Sequence, residues 1–161
     1  MEPEKAEVSV RRAAPSDVEA LVLLRERMFI DMGTAPSESW QDAAASWFRT
    51  HIKDLDVCIA VADLEDVVVA CALGVVRDVV PSPSTPSGRV VTVSNVCTLP
   101  EARGRGLGRA VTKAVMKMAT SRGAVRADLF ASEQGVRVYR SLGFRATDHP
   151  AMRVDLREVP A

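Results

Sequence analysis

The chain has 161 residues with 21 basic and 21 acidic side chains, so its formal net charge is zero, and 47% of its residues are hydrophobic. This length favours one domain with a substantial core, and we expect a single domain over 1–161 that begins with a flexible tail at 1–7. Balanced charge does not favour nucleic acid or an acidic membrane surface as a partner. The sequence contains no apolar run long enough to span a bilayer, and its acidic N-terminus is unlike a signal peptide.

The cysteines and histidines give no sign of a disulfide or metal scaffold. Cys58, Cys71 and Cys97 lie in apolar or strand-like contexts, without a C-x-x-C pair and in odd number. Such a set is typical of buried, reduced thiols in a cytosolic protein. His51 and His149 are isolated from each other in the sequence, so we predict no metal site. We therefore expect a cytoplasmic protein.

Strand and helix patterns alternate along the first half of the chain. Apolar spacing predicts a strand, two helices and two further strands, at about 8–11, 18–32, 38–53, 57–62 and 67–79. Gly33 is the expected end of the first helix, and Leu64-Glu65-Asp66 is the expected turn between the two later strands. The proline-rich segment 81–88 can be neither helix nor strand, so it predicts a loop between adjacent antiparallel strands. These patterns predict an α/β layered domain.

A strand, a glycine-rich turn and a helix follow this loop. The strand is predicted at Val90–Val96, which is rich in β-branched residues, and the turn is Arg103-Gly104-Arg105-Gly106-Leu107-Gly108. After the turn, Leu107, Val111 and Val115 recur on one helical face. The first turn of a helix has N–H groups without backbone partners, and the helix dipole adds positive potential there. The segment therefore predicts a cradle for a phosphate or pyrophosphate group.

Spacing distinguishes among the known kinds of cradle. A P-loop needs a Lys-Ser/Thr pair after its last glycine, but Arg109-Ala110 follows Gly108. A dinucleotide fingerprint needs a third glycine where this chain has Arg109, although Asp128 lies where a ribose-binding acid would be expected. The pattern that does match is Arg-x-x-Gly-x-Gly, from Arg103 to Gly108. It resembles the acyl-CoA loop of the GCN5-related N-acetyltransferase (GNAT) superfamily.

A second motif strengthens this resemblance. The run Ser132-Glu133-Gln134-Gly135-Val136-Arg137-Val138-Tyr139-Arg140-Ser141-Leu142-Gly143-Phe144 is similar to the closing motif of the same superfamily, a helix that ends in Tyr-x-x-Leu-Gly-Phe. A strand-like segment at 127–130 lies between the two motifs. Many relatives have Asn seven residues before the Tyr. Here Ser132 occupies that position, where it can also act as a helix N-cap.

The resemblance implies a fold and a set of cofactor contacts. The implied fold is the acyl-CoA N-acyltransferase (GNAT) fold: a mixed, mostly antiparallel central sheet flanked by helices, with a fifth strand parallel to the fourth, then the Tyr helix and closing strands. The fourth and fifth strands splay apart in such folds, and the pantetheine arm lies between them. The implied acetyl-CoA contacts are Val96, Cys97, Thr98, Arg103, Gly104, Arg105, Gly106, Leu107, Gly108, Arg109 and Ser132. Val96 and Cys97 can equally be ordinary core residues.

The sequence suggests a proton donor for catalysis but no base. Tyr139 is the only tyrosine, and its helical spacing alone favours packing, whereas the resemblance implies that it protonates the departing CoA thiolate. No carboxylate occurs in Arg89–Val96, where relatives often have a base, and Glu26 and Asp31 are either bases or surface charges. We therefore assign no base.

The acceptor site follows no recognisable pattern. Arg25, Met28 and Phe29 on the first helix either line it or pack that helix. We also expect the loop 81–88 and the 25–32 face of the first helix to meet at the acceptor mouth, since specificity often depends on loops held by a rigid scaffold.

These inferences predict an acetyl-CoA-dependent N-acetyltransferase that acts on a primary amine of a small molecule or peptide, by direct attack in a ternary complex. The resemblance also allows a homodimer. An alternative is a CoA-binding sensor or interaction module without catalysis, which the missing base favours and the retained Tyr139 disfavours. A dinucleotide-dependent oxidoreductase is disfavoured by Arg109 at the third glycine position.

Overall fold

The computed structural model describes residues 7–34, 37 and 39–159, and the chain divides after Leu129 into two compact units. The predicted tail, apart from Glu7, lies outside the described residues, as does the predicted start of the second helix at Glu38. The first unit contains the whole sheet and three α-helices, and the second contains one short α-helix.

The first unit is built on a five-stranded mixed sheet. The strands are β1 (Val8–Arg12), β2 (Val57–Leu64), β3 (Val67–Asp78), β4 (Arg89–Thr98) and β5 (Arg126–Asp128), and they lie side by side in chain order. The first four pair antiparallel, and β5 runs parallel to β4. This is the predicted mixed, mostly antiparallel sheet.

Helices cover both faces of this sheet. They are α1 (Val18–Asp31), α2 (Trp40–His51) and α3 (Leu107–Ser121), and 3-10 turns at Pro15–Asp17 and Pro100–Ala102 precede α1 and α3. α3 buries Leu107, Val111 and Val115 against one face. α1 and α2 bury their apolar residues against the other face, including Leu21, Leu24, Phe48 and Ile52. Because β2 and most of β3 are covered on both sides, their residues are apolar almost without interruption.

The connecting turns follow the predictions. Glu65 and Asp66, between β2 and β3, adopt φ angles of 51° and 63°, the left-handed values that a tight hairpin turn requires. The segment 81–88 joins β3 to β4 as a loop, and it is tied down by Thr85, which is only 1% exposed and whose N–H donates to the Ser82 carbonyl at 3.0 Å. α1 ends at Asp31, two residues before the expected stop at Gly33.

The second unit departs from the expected ending. Its helix, α4 (Val136–Ser141), begins four residues after Ser132, whose hydroxyl accepts a hydrogen bond from the Gly135 N–H in the preceding turn. The expected closing strands are wrong for the part described. Residues 142–159 pair with no strand and contain only a 3-10 turn at Leu156–Glu158. Alternating apolar residues do not form a strand unless a neighbouring strand accepts the backbone hydrogen bonds. β5 is also shorter than the predicted 127–130.

Candidate functional site

The glycine-rich turn forms a bend between the end of β4 and the start of α3. Gly104 and Gly106 adopt φ angles of 76° and 75°, which disfavour residues that carry a side chain. Gly106 is the N-cap of α3 and has no side chain to bond the first N–H groups of the helix. Leu107 is buried, so the first residue of α3 is fixed against the sheet. The bend therefore holds the start of α3 in a defined position.

The space above this bend is open to a ligand. An ideal Cβ built on Gly104 or Gly106 meets no heavy atom within 4 Å, and one on Gly108 meets only the Thr98 hydroxyl oxygen, at 3.7 Å. The N–H groups of the first helical turn have no partner within the helix. Arg105 and Arg109 are exposed nearby in the sequence. An open, positively polarised helix start is suited to an anion, so the cradle predicted from the glycine spacing fits a pyrophosphate group.

Arg103, a predicted cofactor contact, bonds groups of the protein itself. Its Nε donates to the Thr98 carbonyl at 3.1 Å, and its Nη2 makes a close contact with Asp31 Oδ2 at the end of α1. Asp31 also accepts from Arg27 at 2.6 Å. These two arginines, Arg27 most strongly, hold the pKa of Asp31 below its ordinary value. Arg103 thus joins the cradle to β4 and α1 and makes Asp31 a weak base.

The second half of β4 contains a β-bulge. Cys71 of β3 lies opposite Cys97, and Leu73 lies opposite Ser94, so one residue of β3 faces both Asn95 and Val96. Asn95 has a φ of 53° and is 4% exposed. The ladder to β5 covers only Val90–Thr92, so within the described chain the strand continues past the bulge without a β5 partner.

The predicted pantetheine contacts lie at this end of β4, which pairs with β3 but has no described β5 partner. Val96 and Thr98 are partly exposed, and Cys97 is buried. Burial raises the pKa of the Cys97 thiol to about 11, so the thiol is protonated at neutral pH. It therefore behaves as a small apolar residue here, and only the main chain offers polar contacts along Val96 and Cys97.

A pocket of about 380 Å³ opens between α1, α2, β3 and β4. Its described lining residues are Arg25, Trp40, Ala44, Trp47, Phe48, Leu73 and Ser94. Of the three predicted acceptor residues, only Arg25 is among them. Phe29 lies behind it, with its ring centroid 4.9 Å from the Arg25 guanidinium carbon and 5.5 Å from the Trp40 ring, and Met28 packs against the core. The loop 81–88 contributes none of the described lining residues, whereas α2 contributes four.

The second unit, considered by itself, contains Ser132 and Tyr139. The Tyr139 ring lies against Gly135 and meets the Phe144 ring edge-on, with centroids 5.9 Å apart. Burial raises the pKa of the Tyr139 phenol above its ordinary value, so at neutral pH the hydroxyl carries its proton and can donate it. The packing and proton-donor interpretations of this residue are compatible, because the ring packs and the hydroxyl is a separate group.

No group of three or more His, Cys, Asp or Glu among the described residues is arranged to hold a metal ion. None of the helices described is both long enough and apolar enough to cross a membrane.

Comparison with known families decides what this architecture is. The sequence matches the model of the acetyltransferase (GNAT) family over residues 22–144, about three-quarters of the chain. The chain belongs to the GNAT acetyltransferase family. The resemblance indicated by the Arg103–Gly108 and Ser132–Phe144 motifs is therefore confirmed. No curated protein sequence matches significantly.

Solved GNAT structures share the fold over nearly their whole length. A predicted acetyltransferase from Clostridium acetobutylicum, determined with acetyl-CoA, is 25% identical with a TM-score of 0.84, covering 95% of this chain and 99% of that one. A GCN5-related N-acetyltransferase from Ralstonia eutropha JMP134 is 24% identical with a TM-score of 0.81, covering 92% and 99%. An aminoglycoside N-acetyltransferase in complex with CoA is 19% identical with a TM-score of 0.77, covering 97% and 99%.

Several residues of the candidate site were not predicted from the sequence. Trp40, Ala44 and Trp47 recur at i, i+4 and i+7, which correctly predicts one face of α2 but does not show that the face borders a pocket. Asn95 lies within the predicted strand Val90–Val96, where extended backbone is expected. Its left-handed φ at the bulge had a weak signal in the sequence, because Asn tolerates that conformation better than most residues.

Proposed function

We propose that the chain is an N-acetyltransferase that transfers the acetyl group of acetyl-CoA to a primary amine by direct attack in a ternary complex. The observation that carries this proposal is the open cradle at Gly104–Gly108, at the start of α3, in a chain that belongs to the GNAT acetyltransferase family. Two of the structural neighbours are complexes with acetyl-CoA or CoA, and their names describe acetyltransferases, which supports the same cosubstrate here.

The cofactor is proposed to lie along the cradle and along the end of β4 that has no described β5 partner. The N–H groups of Leu107 and Gly108 would bind the pyrophosphate, since the first N–H groups of a helix have no backbone acceptor within it. The guanidinium of Arg103 is already bonded to Asp31 and to the Thr98 carbonyl, so we propose that it holds the loop in place while main-chain groups bind the anion. The main chain of Val96–Thr98 would bind the pantetheine arm, and Ser132 would add a further polar contact.

Acetyl-CoA supplies an activated acyl carbon. The acceptor nitrogen attacks that carbon, the carbon–sulfur bond breaks, and the thiolate leaves. Tyr139 is the proposed donor of the proton that the thiolate takes up, and its raised pKa keeps that proton available at neutral pH. The nitrogen loses a proton as the amide forms, and we propose that water accepts it. Ser94, which is exposed and lines the pocket, can orient such a water.

No carboxylate is assigned as the base. Asp31 has a lowered pKa because it bonds two arginines, so it accepts protons poorly. Glu26 accepts a hydrogen bond from Gln41 at 3.3 Å. β4 contains no acidic residue. These observations favour attack by the small neutral fraction of the amine, and they are also the specific support for the alternative, a CoA-binding module without catalysis.

A melting-temperature assay tests the cofactor class. Acetyl-CoA or CoA should raise the melting temperature, because a ligand that binds only the folded state stabilises it by mass action. NAD and ATP at equal concentration should have much smaller effects. Stabilisation by NAD and not by CoA would contradict the proposal. Release of free CoA thiol in the presence of a panel of primary amines then distinguishes the enzyme from the module, since the module would bind CoA without amine-dependent release.

A further inference from the structure

The pocket between α1, α2, β3 and β4 has a distinctive chemical character. Its wall is largely aromatic, being formed by Trp40, Trp47 and Phe48. Arg25 is the one charged residue among the described residues that line it. A volume of about 380 Å³ falls within the range of small-molecule sites. The pocket thus combines a single positive charge with an apolar surface large enough for a ring.

Arg25 differs from the other arginines around it. Arg27 and Arg103 both bond the carboxylate of Asp31. Arg25 instead donates from Nη1 to the amide oxygen of Asn95, at 2.9 Å, and lies over the ring of Phe29. No carboxylate in the described chain bonds Arg25. Its charge is therefore held by neutral groups alone.

The fold holds this charge in a fixed position. Asn95 is at the bulge of β4 and is 4% exposed, and its amide nitrogen lies 3.6 Å from Cys71 Sγ, while Cys71 Sγ donates to the Asn95 carbonyl at 3.3 Å. These contacts orient the amide oxygen that bonds Arg25. A partly buried cation without a counter-ion carries a desolvation cost, and burial lowers the pKa of the Arg25 guanidinium accordingly. An anionic group of a ligand would offset that cost, and a guanidinium binds carboxylate or phosphate with favourable geometry.

We propose that this pocket binds an acceptor amine that also carries an anionic group, a carboxylate or phosphate, paired with Arg25, and an aromatic or apolar body against Trp40, Trp47 and Phe48. This inference rests on the proposed transfer to an amine and specifies the class of acceptor. A polycationic acceptor is excluded, because the pocket offers it one positive charge and no carboxylate among its described lining residues.

The two tryptophans allow a binding test that does not depend on turnover. The chain contains only Trp40 and Trp47, and both line the pocket, so quenching of tryptophan fluorescence reports occupancy. The probes are L-phenylalanine, L-phenylalaninamide, in which an uncharged carboxamide replaces the carboxylate, and tyramine O-phosphate. The first two share one body and one amine and differ in the anion, and the third replaces carboxylate with phosphate. We expect at least one anionic probe to bind about 10-fold or more tightly than the amide, as is typical of a charge-assisted hydrogen-bonded pair.

Three variants assign that preference to Arg25. Arg25→Met should reduce it to within about 3-fold, and Asn95→Asp should do the same by placing a carboxylate beside an intact guanidinium. Arg49→Met, which removes an exposed charge from α2 outside the pocket lining, should keep the preference. If Arg25→Met does not fold, Asn95→Asp carries the test, because Asp tolerates the left-handed backbone at that position.

The possible results separate this inference from the proposed function. Equal binding of amide and anionic probes to the unmodified protein, no quenching by any probe at millimolar concentration, or a preference that survives both Arg25→Met and Asn95→Asp would overturn the inference. None of these results bears on the stabilisation by CoA. Conversely, failure of CoA to stabilise the protein would contradict the proposed function while the fluorescence comparison still tests the pocket.

Discussion

The two ends of β4 differ in how their backbone groups are paired. At the first end, Arg89 bonds Asp56 at 2.8 Å and the Arg122 carbonyl at 3.1 Å, and Val90–Thr92 pair with β5. At the second end the strand bulges at Asn95, has no described β5 partner, and borders both the cradle and the pocket lined by Arg25 and Trp40. The first end uses its backbone groups for strand pairing. The second leaves main-chain groups without a described β5 partner, and its Asn95 accepts a hydrogen bond from Arg25 of α1.

α3 connects these two ends. Its N-terminus begins at the cradle, beside Thr98, and its C-terminus reaches Arg122, whose carbonyl accepts from Arg89. The helix is amphipathic, with Val111, Val115 and Ala119 buried against the sheet. Because α3 is packed against the sheet and held at both ends, it fixes the position of the cradle relative to β4. The end of β4 that pairs with β5 thus supports the end that borders the cradle.

The largest expected effect concerns Tyr139, the proposed proton donor, since β4 itself contributes no acidic residue. Tyr139→Phe keeps the ring and its contact with Phe144 and deletes only the hydroxyl. If that hydroxyl protonates the leaving thiolate, kcat should fall by about 10²–10⁴, while CoA affinity changes by a few-fold at most. Steady-state kinetics with an accepted amine and CoA titration measure the two quantities.

The melting temperature of the same variant tests the other interpretation. A purely structural hydroxyl would leave a buried partner unsatisfied, and its loss would lower the free energy of unfolding by about 1–3 kcal/mol. Full turnover in Tyr139→Phe would exclude the general acid and leave water as the proton source.

The next effect compares the two ends of β4 directly, through two glycines that flank α3. Gly106 precedes the helix at the open end, and Gly123 follows it at the paired end, with φ angles of 75° and 84°. An added Cβ meets nothing within 4 Å at either position, so valine costs both variants stability through backbone strain, roughly 1–3 kcal/mol. Only Gly106→Val should also weaken CoA binding, by about 10-fold or more, because it alters the start of α3.

Gly123→Val serves as the matched control for that measurement. Calorimetric titration of CoA and a melting curve for each variant provide the comparison. Equal CoA affinity in the two folded variants would mean that the bend at Gly106 does not form the cofactor site, and the distinction between the two ends of β4 would fail.

The sequence predicted local features well and long-range ones poorly. The glycine spacing at Gly104–Gly108 and the apolar face of α3 are local, and both are confirmed in the fold because backbone preference and helical period act over a few residues. The Arg25–Asn95 bond joins residues 70 apart, and the Arg103–Asp31 pair joins residues 72 apart. Nothing in the residue types at these positions specifies which arginine meets a carboxylate and which meets an amide.

The bulge and the end of the chain show the same limit. A run of β-branched residues in β4 predicts a strand but not its register, which depends on β3 and β5. The expected closing strands depended on pairing that the described residues after α4 do not make. α2 was predicted as a helix from its apolar face, yet the use of Trp40 and Trp47 as a pocket wall depends on how α1 packs beside it.

The smallest expected effect is the protection by CoA of Cys97, which lies at the end of β4 that has no described β5 partner. It is 6% exposed, whereas Cys58 and Cys71 are fully buried, and burial raises the pKa of all three thiols, that of Cys97 to about 11. Because the thiolate is the reactive form, alkylation of Cys97 by iodoacetamide at pH 8 should be slower than that of a free thiol by about 10²-fold. The rate should rise as the pH approaches 11. Over the same range stability should fall, since an unfolded thiol ionises near pH 8.5 and the folded one does not.

CoA should slow the alkylation of Cys97 by a few-fold and leave Cys71 unaffected, because the pantetheine arm is proposed to lie along Val96–Thr98 while Cys71 is on β3 inside the core. Peptide mass spectrometry of protein labelled with and without CoA measures each site separately, and Cys97→Ala identifies the signal. If Cys71 or Cys58 reacts before Cys97, the second end of β4 is no more open than the rest of the sheet. If Cys97 reacts first but CoA gives no protection, the end is open and the cofactor lies elsewhere.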